Sequence, residues 1–165
     1  MERQHARLID AMIAYDRGDA RRIQHFIKVH DLAATIACLE NVDEETVFIL
    51  ETAAILHDIG IRISEQKYGT GTGKYQELEG PPEAEKLMLA TGGYTPEQIE
   101  RVKFLIGHHH TYTDINGMDY QILVEADFLV NLYEDGENPE RAGQVRKRLF
   151  RTETGIRMLD AMFGL

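Results

Sequence analysis

The chain has 165 residues, 43% apolar and 28% charged, with a net charge of -10. That length holds one ordinary domain, or one domain with a short helical extension, and the balance excludes a disordered chain, a collagen and a bare coiled coil. The excess acid argues against general nucleic-acid or anionic-membrane binding, while a small anionic substrate stays compatible if a metal ion reverses the sign inside a pocket.

From the N-terminus onward the periodicity is helical, with apolar residues recurring at three and four and little strict alternation. It predicts helices at about 4–16, 20–40, 43–57, 82–91, 96–108, 118–134, 138–150 and 153–163. The opening MERQHARLID lacks the apolar run of a secretion signal, and no stretch reaches the ~18–20 uncharged apolar residues of a membrane span, so a cytoplasmic protein with no membrane partner is expected. Cys38 stands alone, so no internal disulfide is available, and its neighbours Ala37 and Leu39 point to plain packing. Asp43 is placed to cap the third helix. Thr95-Pro96-Glu97-Gln98 combines a capping hydroxyl, a first-turn proline and a closing glutamine, and Asn138-Pro139 repeats the cap-then-proline signal.

Between Ile59 and Pro82 the sequence carries Gly60, Gly69, Gly71, Gly73 and Gly80. This segment is read as irregular, a flexible lid bearing Lys67, Tyr68, Lys74 and Tyr75. It is not a nucleotide phosphate-binding loop. That loop needs a glycine five residues before Gly73-Lys74 and a hydroxyl residue after it, and tyrosines stand at both places.

Histidine placement carries the strongest chemical signal. Six of the seven histidines fall at 25, 30, 57 and 108–110. Imidazoles and carboxylates projecting inward from facing helices are how a bundle builds a metal site. His25 shares a stripe with Val29, Leu32, Ala33 and Ile36, and His30 shares another with Ile23, Ile27, Ala34 and Ala37; periodicity does not choose between them, and either fits a satisfied core histidine. His57 continues the stripe of Val47, Leu50 and Ala54, and Asp58 follows before a turn at Gly60. A helix-end histidine beside a turn aspartate is the plain alternative. Asp127 sits between Leu123 and Val130 on an apolar face, where a carboxylate needs a hydrogen-bonding partner or a metal. In His108-His109-His110, His109 is in register with Val102 and Ile106, and one or two of the three suit an exposed helix end.

In this order, on separate helices, these residues resemble the HD-domain metal-dependent phosphohydrolase superfamily. The resemblance covers about residues 20–135. His25 through Val29 to Ala33 is similar to its first element, Leu56-His57-Asp58-Ile59-Gly60 to its His-Asp doublet, and Ala126-Asp127 to its last aspartate. The alignment selects His25 over His30. Ile106-Gly107-His108-His109 looks like the Ile-x-x-His element of binuclear members. Leu78-Glu79-Gly80-Pro81 looks like their Leu-His-Gly element with glutamate in place of histidine, so Glu79, or Glu77, becomes a candidate ligand to a second ion. Two departures stand out. Ile61 occupies a place where several HD families carry lysine, and the Gly-Tyr-Pro signature of cyclic-dinucleotide phosphodiesterases is absent.

The resemblance implies an all-α, single-domain bundle of the HD type over residues 1–165, with a metal-site core at about 20–135 and a C-terminal helical extension at 138–165. It implies one or two divalent ions (iron, manganese, cobalt, nickel or zinc) held by His25, His57, Asp58, His109 and Asp127. The expected activity is hydrolysis of a small phosphate ester or nucleotide by a metal-activated water. Asp58 would orient the water, and His109 and His110, with His108 as a further candidate proton donor, would complete the catalytic set. Arg62, Lys67 and Lys74 are candidate phosphate contacts, and each also fits a solvated loop charge. The alternatives are a di-iron oxygenase of the same fold and a non-catalytic metal-binding interaction module. Met158, Leu159, Met162 and Phe163 pack on the core or form a homodimer surface.

Overall fold

Nine segments satisfy the conditions for helix, and their side chains open most of them. The computed structural model describes residues 1–165 and contains α1 (Arg3–Tyr15), α2 (Ala20–Leu39), α3 (Glu44–Leu56), α4 (Gly60–Tyr68), α5 (Gly73–Thr91), α6 (Pro96–Ile106), α7 (Met118–Glu134), α8 (Pro139–Leu149) and α9 (Glu153–Phe163). Asp19, Asp43, Asn138 and Thr152 each accept a hydrogen bond from a first-turn amide of α2, α3, α8 and α9. Thr95 and Gln98 form a reciprocal capping box at α6, at 3.2 and 2.9 Å. Each such cap contributes about 1 kcal/mol by satisfying an amide that the helix leaves orphaned. There are no strands, so the fold is all-α.

Helix α7 is the axis of the assembly. It buries eleven of its seventeen residues, from Asp119 to Leu132. A helix that is apolar on most sides lies inside its fold, and α2 and α3 pack along this one. A continuous core of 32 buried apolar residues extends from Leu8 in α1 to Leu159 in α9. Leu159 is fully buried, Met158 and Phe163 pack against the core, and Met162 stays exposed. No helix is long and apolar enough to cross a membrane.

The structure departs from the sequence reading in the glycine-rich segment. Residues 60–68 and 73–91 are helical and only Gly69–Thr72 connect them. Helix α4 ends at Gly69 with φ +72°, a left-handed conformation that favours glycine. Gly60 and Gly80 serve a different purpose. A Cβ on Gly60 would lie 2.6 Å from the Gly80 nitrogen and 2.7 Å from the Gln76 carbonyl oxygen. One on Gly80 would meet Ile106 at 2.8 Å. These glycines let α5 cross the start of α4 at backbone contact, so they rigidify the segment expected to be a lid. Pro81 and Pro82 lie inside α5, where they withhold the amides that would return to Glu77 and Leu78. Cys38 also departs from expectation, since its side chain is exposed.

Candidate metal centre

The helix axes bring four side chains to one buried point. His25 comes from the second turn of α2, His57 from the C-cap of α3, Asp58 from the turn before α4, and Asp127 from the middle of α7. All four are buried. His25 Nε2 lies 3.0 Å from His57 Nε2, 3.4 Å from Asp58 Oδ2 and 3.3 Å from Asp127 Oδ1. His57 Nε2 is 3.5 Å from Asp58 Oδ2 and 3.4 Å from Asp127 Oδ1. Ligand atoms about 2.1 Å from one ion stand ~3.0–3.4 Å apart along the edges of an octahedron or tetrahedron. The observed separations fit that spacing, and the donor set of two imidazoles and two carboxylates suits a divalent transition metal.

Outer hydrogen bonds aim these nitrogens. His57 Nδ1–H donates to the Ala54 carbonyl at 2.8 Å, leaving Nε2 free to present its lone pair. His25 Nδ1–H donates to Glu134 Oε2 at 3.1 Å, and Lys28 holds the other Glu134 oxygen at 2.6 Å. Asn131 donates to Asp127 Oδ1 at 2.8 Å. Burial disfavours the charged form of His25, but the Asp127 hydrogen bond and the charges of Asp58, Asp127 and Glu134 outweigh it and lift the imidazole to about 9. Burial pushes Asp58 and Asp127 up, and the surrounding histidines more than reverse this, holding both carboxyls well below the usual range. Without a metal, a proton on His25 therefore occupies the electrostatic place of the cation.

Asp58 faces two ways. Its Oδ2 belongs to the four-residue group, while its Oδ1 lies 3.0 Å from His109 Nε2 and 3.7 Å from His110 Nε2. His109 is fully buried, with Nδ1 2.8 Å from the Ile106 carbonyl oxygen and Nε2 in hydrogen-bond contact with Asp58 Oδ1. His110 is partly exposed; burial lowers it, but Asp58 holds its proton on and raises it overall. Its Nε2 meets the buried Gln76 amide, which α5 delivers across the Gly60–Gly80 contact. His108 turns away, stacked on Phe104 and donating to that residue's carbonyl.

The other candidates lie outside these groups. Glu79 is engaged by Lys67 at 2.9 Å and Tyr68 at 2.8 Å. Glu77 supports the histidine turn instead, accepting from the His110 amide at 2.9 Å. Arg62 donates to the Tyr15 carbonyl at 2.6 Å, and Lys74 sits over the Tyr75 ring. A cavity of about 300 Å³ opens onto His25 and Asp58 and is bordered by Arg21, Arg22, Asn131 and Glu134; Arg62, Lys67 and Lys74 do not line it. Sequence reasoning missed Arg21, Arg22, Gln76 and Glu134. The available signal was the spacing of Asp127, Asn131 and Glu134 at i, i+4 and i+7, which puts them on one face of α7.

No curated protein and no solved structure matches the chain. The family model for the HD domain matches residues 22–149, well over half of the chain, and takes in His25, the His57-Asp58 doublet, the triple histidine and Asp127. The chain belongs to the HD-domain family, whose members are mostly metal-dependent hydrolases.

Proposed function

We propose that this protein is a metal-dependent phosphohydrolase acting on a small phosphate ester or nucleotide. The observation that carries the reading is the convergence of His25, His57, Asp58 and Asp127 at ligand spacing beside a solvent-open cavity edged by two arginines. A divalent ion held there would supply Lewis acidity toward a phosphoryl oxygen and a bound water acidified toward neutrality. Asp58 lies between the metal-ligand group and His109–His110, so it can orient the attacking water and accept its hydrogen bond. Asp58 raises His110 above its ordinary value, and His110 reaches Asp58 from a partly exposed position, which suits it to protonate the leaving oxygen. Arg21, together with Arg22 once it exchanges its Asp19 and Glu65 partners for the phosphate, takes the phosphate-binding role at the cavity mouth, in place of Arg62, Lys67 and Lys74. The two-way Asp58 supports a second ion held with His109 and His110. We place the protein in the cytoplasm, with a small phosphorylated molecule as its partner.

The test is hydrolysis of a panel of phosphate monoesters and nucleotides by protein reconstituted with manganese, iron, cobalt, nickel or zinc. Asp58→Ala is expected to lower turnover at least ~10³-fold while leaving the helical circular dichroism intact. Wild-type turnover in a metal-loaded Asp58→Ala protein would sink the proposal. Oxygen consumption by the iron form, without phosphate release, would transfer the site to the oxygenase reading.

A further inference from the structure

A second histidine–carboxylate cluster lies under helix α1. His5, on α1, is fully buried against α3 and stacks near Phe48, with ring centroids 4.8 Å apart. Its Nε2–H faces the Phe48 carbonyl at 3.3 Å and the Thr52 hydroxyl at 3.2 Å. Thr52 spends its own proton on that same carbonyl, at 2.8 Å, so its oxygen is free to accept from the histidine. The other nitrogen, Nδ1, is buried and has no hydrogen-bond partner. It lies 3.6 Å from Glu51 Oε1, too far for a hydrogen bond. His30, on α2 and nearly as buried, brings Nε2 to 2.9 Å from the same Glu51 oxygen.

Three helices thus converge two imidazoles and one carboxylate, with ligand atoms all within 4.8 Å of one another. Burial lowers His5 below its ordinary value, so its ring is neutral and its orphaned nitrogen carries a lone pair. A buried acceptor directed at a carboxylate oxygen is unfavourable unless a cation stands between them. The group is separate from the centre at Asp58. His25 and His30 are five residues apart on α2, which turns their side chains about 140° from each other around the helix. His5 also lies outside the HD-domain match. Glu51 borders one surface depression and His30 another, so an ion has a route in from either side.

We propose that His5 Nδ1, His30 Nε2 and Glu51 Oε1 form a second metal site, for a divalent ion of the zinc class, that clamps α1 onto α2 and α3. A donor set of two nitrogens and one carboxylate favours zinc, cobalt or nickel over the oxygen-seeking magnesium and calcium. Two neutral imidazoles and one carboxylate leave the bound ion with a single residual positive charge. Three protein ligands also leave a fourth position for water on the open side.

The test uses the full chain with the groups around Asp58 disabled by His57→Ala, Asp58→Ala and Asp127→Ala, stripped of metal and titrated with zinc. About one equivalent is expected to bind and to raise the melting temperature by several degrees, with both effects lost on adding His5→Gln or His30→Gln. Absence of zinc binding in the disabled chain, or binding that survives His5→Gln, overturns the site. Should the variants fail to fold, crystals of the unsubstituted protein grown with excess zinc decide the matter. An anomalous peak within bonding distance of His5 Nδ1, His30 Nε2 and Glu51 supports the site, and its absence there rejects it. Neither arm depends on hydrolysis at Asp58.

Discussion

His25 concentrates the electrostatics of the centre in one side chain. In the metal-free protein its folded pKa, about 9, lies above the unfolded value of 6.5. A raised histidine pKa stabilises the fold fully below the unfolded value, and the contribution disappears as pH rises through the folded value. The difference corresponds to roughly 3 kcal/mol, lost between about pH 6.5 and 9. Chelated wild-type protein is therefore expected to lose stability across that window relative to His25→Gln, as measured by urea unfolding at several pH values. Parallel curves for the two proteins would show that His25 carries no excess proton. Metal binding should reverse the dependence, because the ion must displace that proton and binds better as pH rises.

Buried glycines and one buried glutamate decide how the elements meet. Glu125, on α7 and fully buried, accepts from the Arg151 amide at 2.6 Å, the Thr152 amide at 2.9 Å and the Gln121 side chain at 2.7 Å. Its second oxygen takes the Thr152 hydroxyl, and a Cβ on Gly155 would intrude to 2.0 Å from that oxygen. Glu125 thus fastens the entry of α9 to the axial helix, and Gly155 makes room for it. Glu125→Ala and Gly155→Ala are each expected to destabilise by about 2–4 kcal/mol, and the double variant by little more than either alone. Additive losses in denaturant titrations would show two independent contacts. Gly60→Ala should cost about 2 kcal/mol or more, because backbone of α5 blocks the new methyl and cannot give way as a side chain would. The same change should impair metal-dependent hydrolysis, since α4 and α5 flank the His57-Asp58 turn and deliver Gln76. A Gly60→Ala protein as stable and active as wild type would contradict this account of the crossing.

For the molecule as a whole, the centre ties α2, α3 and α7 together through residues that repel one another unless a cation or proton intervenes. Saturating metal should therefore raise global stability. An ion present at about 100 times its dissociation constant contributes ~2.7 kcal/mol, a rise of roughly 5–11 °C in melting temperature for a chain of this size. Differential scanning calorimetry with and without manganese or zinc measures it. In His57→Ala/Asp58→Ala/Asp127→Ala protein the manganese-induced rise should vanish. The zinc-induced rise should shrink to the part that His5, His30 and Glu51 supply. A metal-independent melting temperature in the wild type would argue that the centre is not a cation site.

Much of this organisation was legible in the chain itself. Eight of the helices, the caps at Asp43, Thr95 and Asn138, and the all-α class follow from local rules, since capping and helical periodicity act within a few residues. The ordered set His25, His57-Asp58 and Asp127 was legible through its resemblance to the HD-domain motifs, which selected His25 where periodicity left His30 equally open. The glycine-rich segment was not. A glycine that permits a left-handed turn, as Gly69 does, is the same letter as one that lets two backbones touch, as Gly60 does, and only the α4–α5 crossing distinguishes them. The roles of Glu79 and Lys67 were equally hidden, because pairing with each other or reaching a pocket depends on neighbours supplied by folding. The His5–His30–Glu51 cluster lies beyond local pattern altogether. Periodicity places each member on a helix, and only the packing of α1 across α2 and α3 turns three separate side chains into one group.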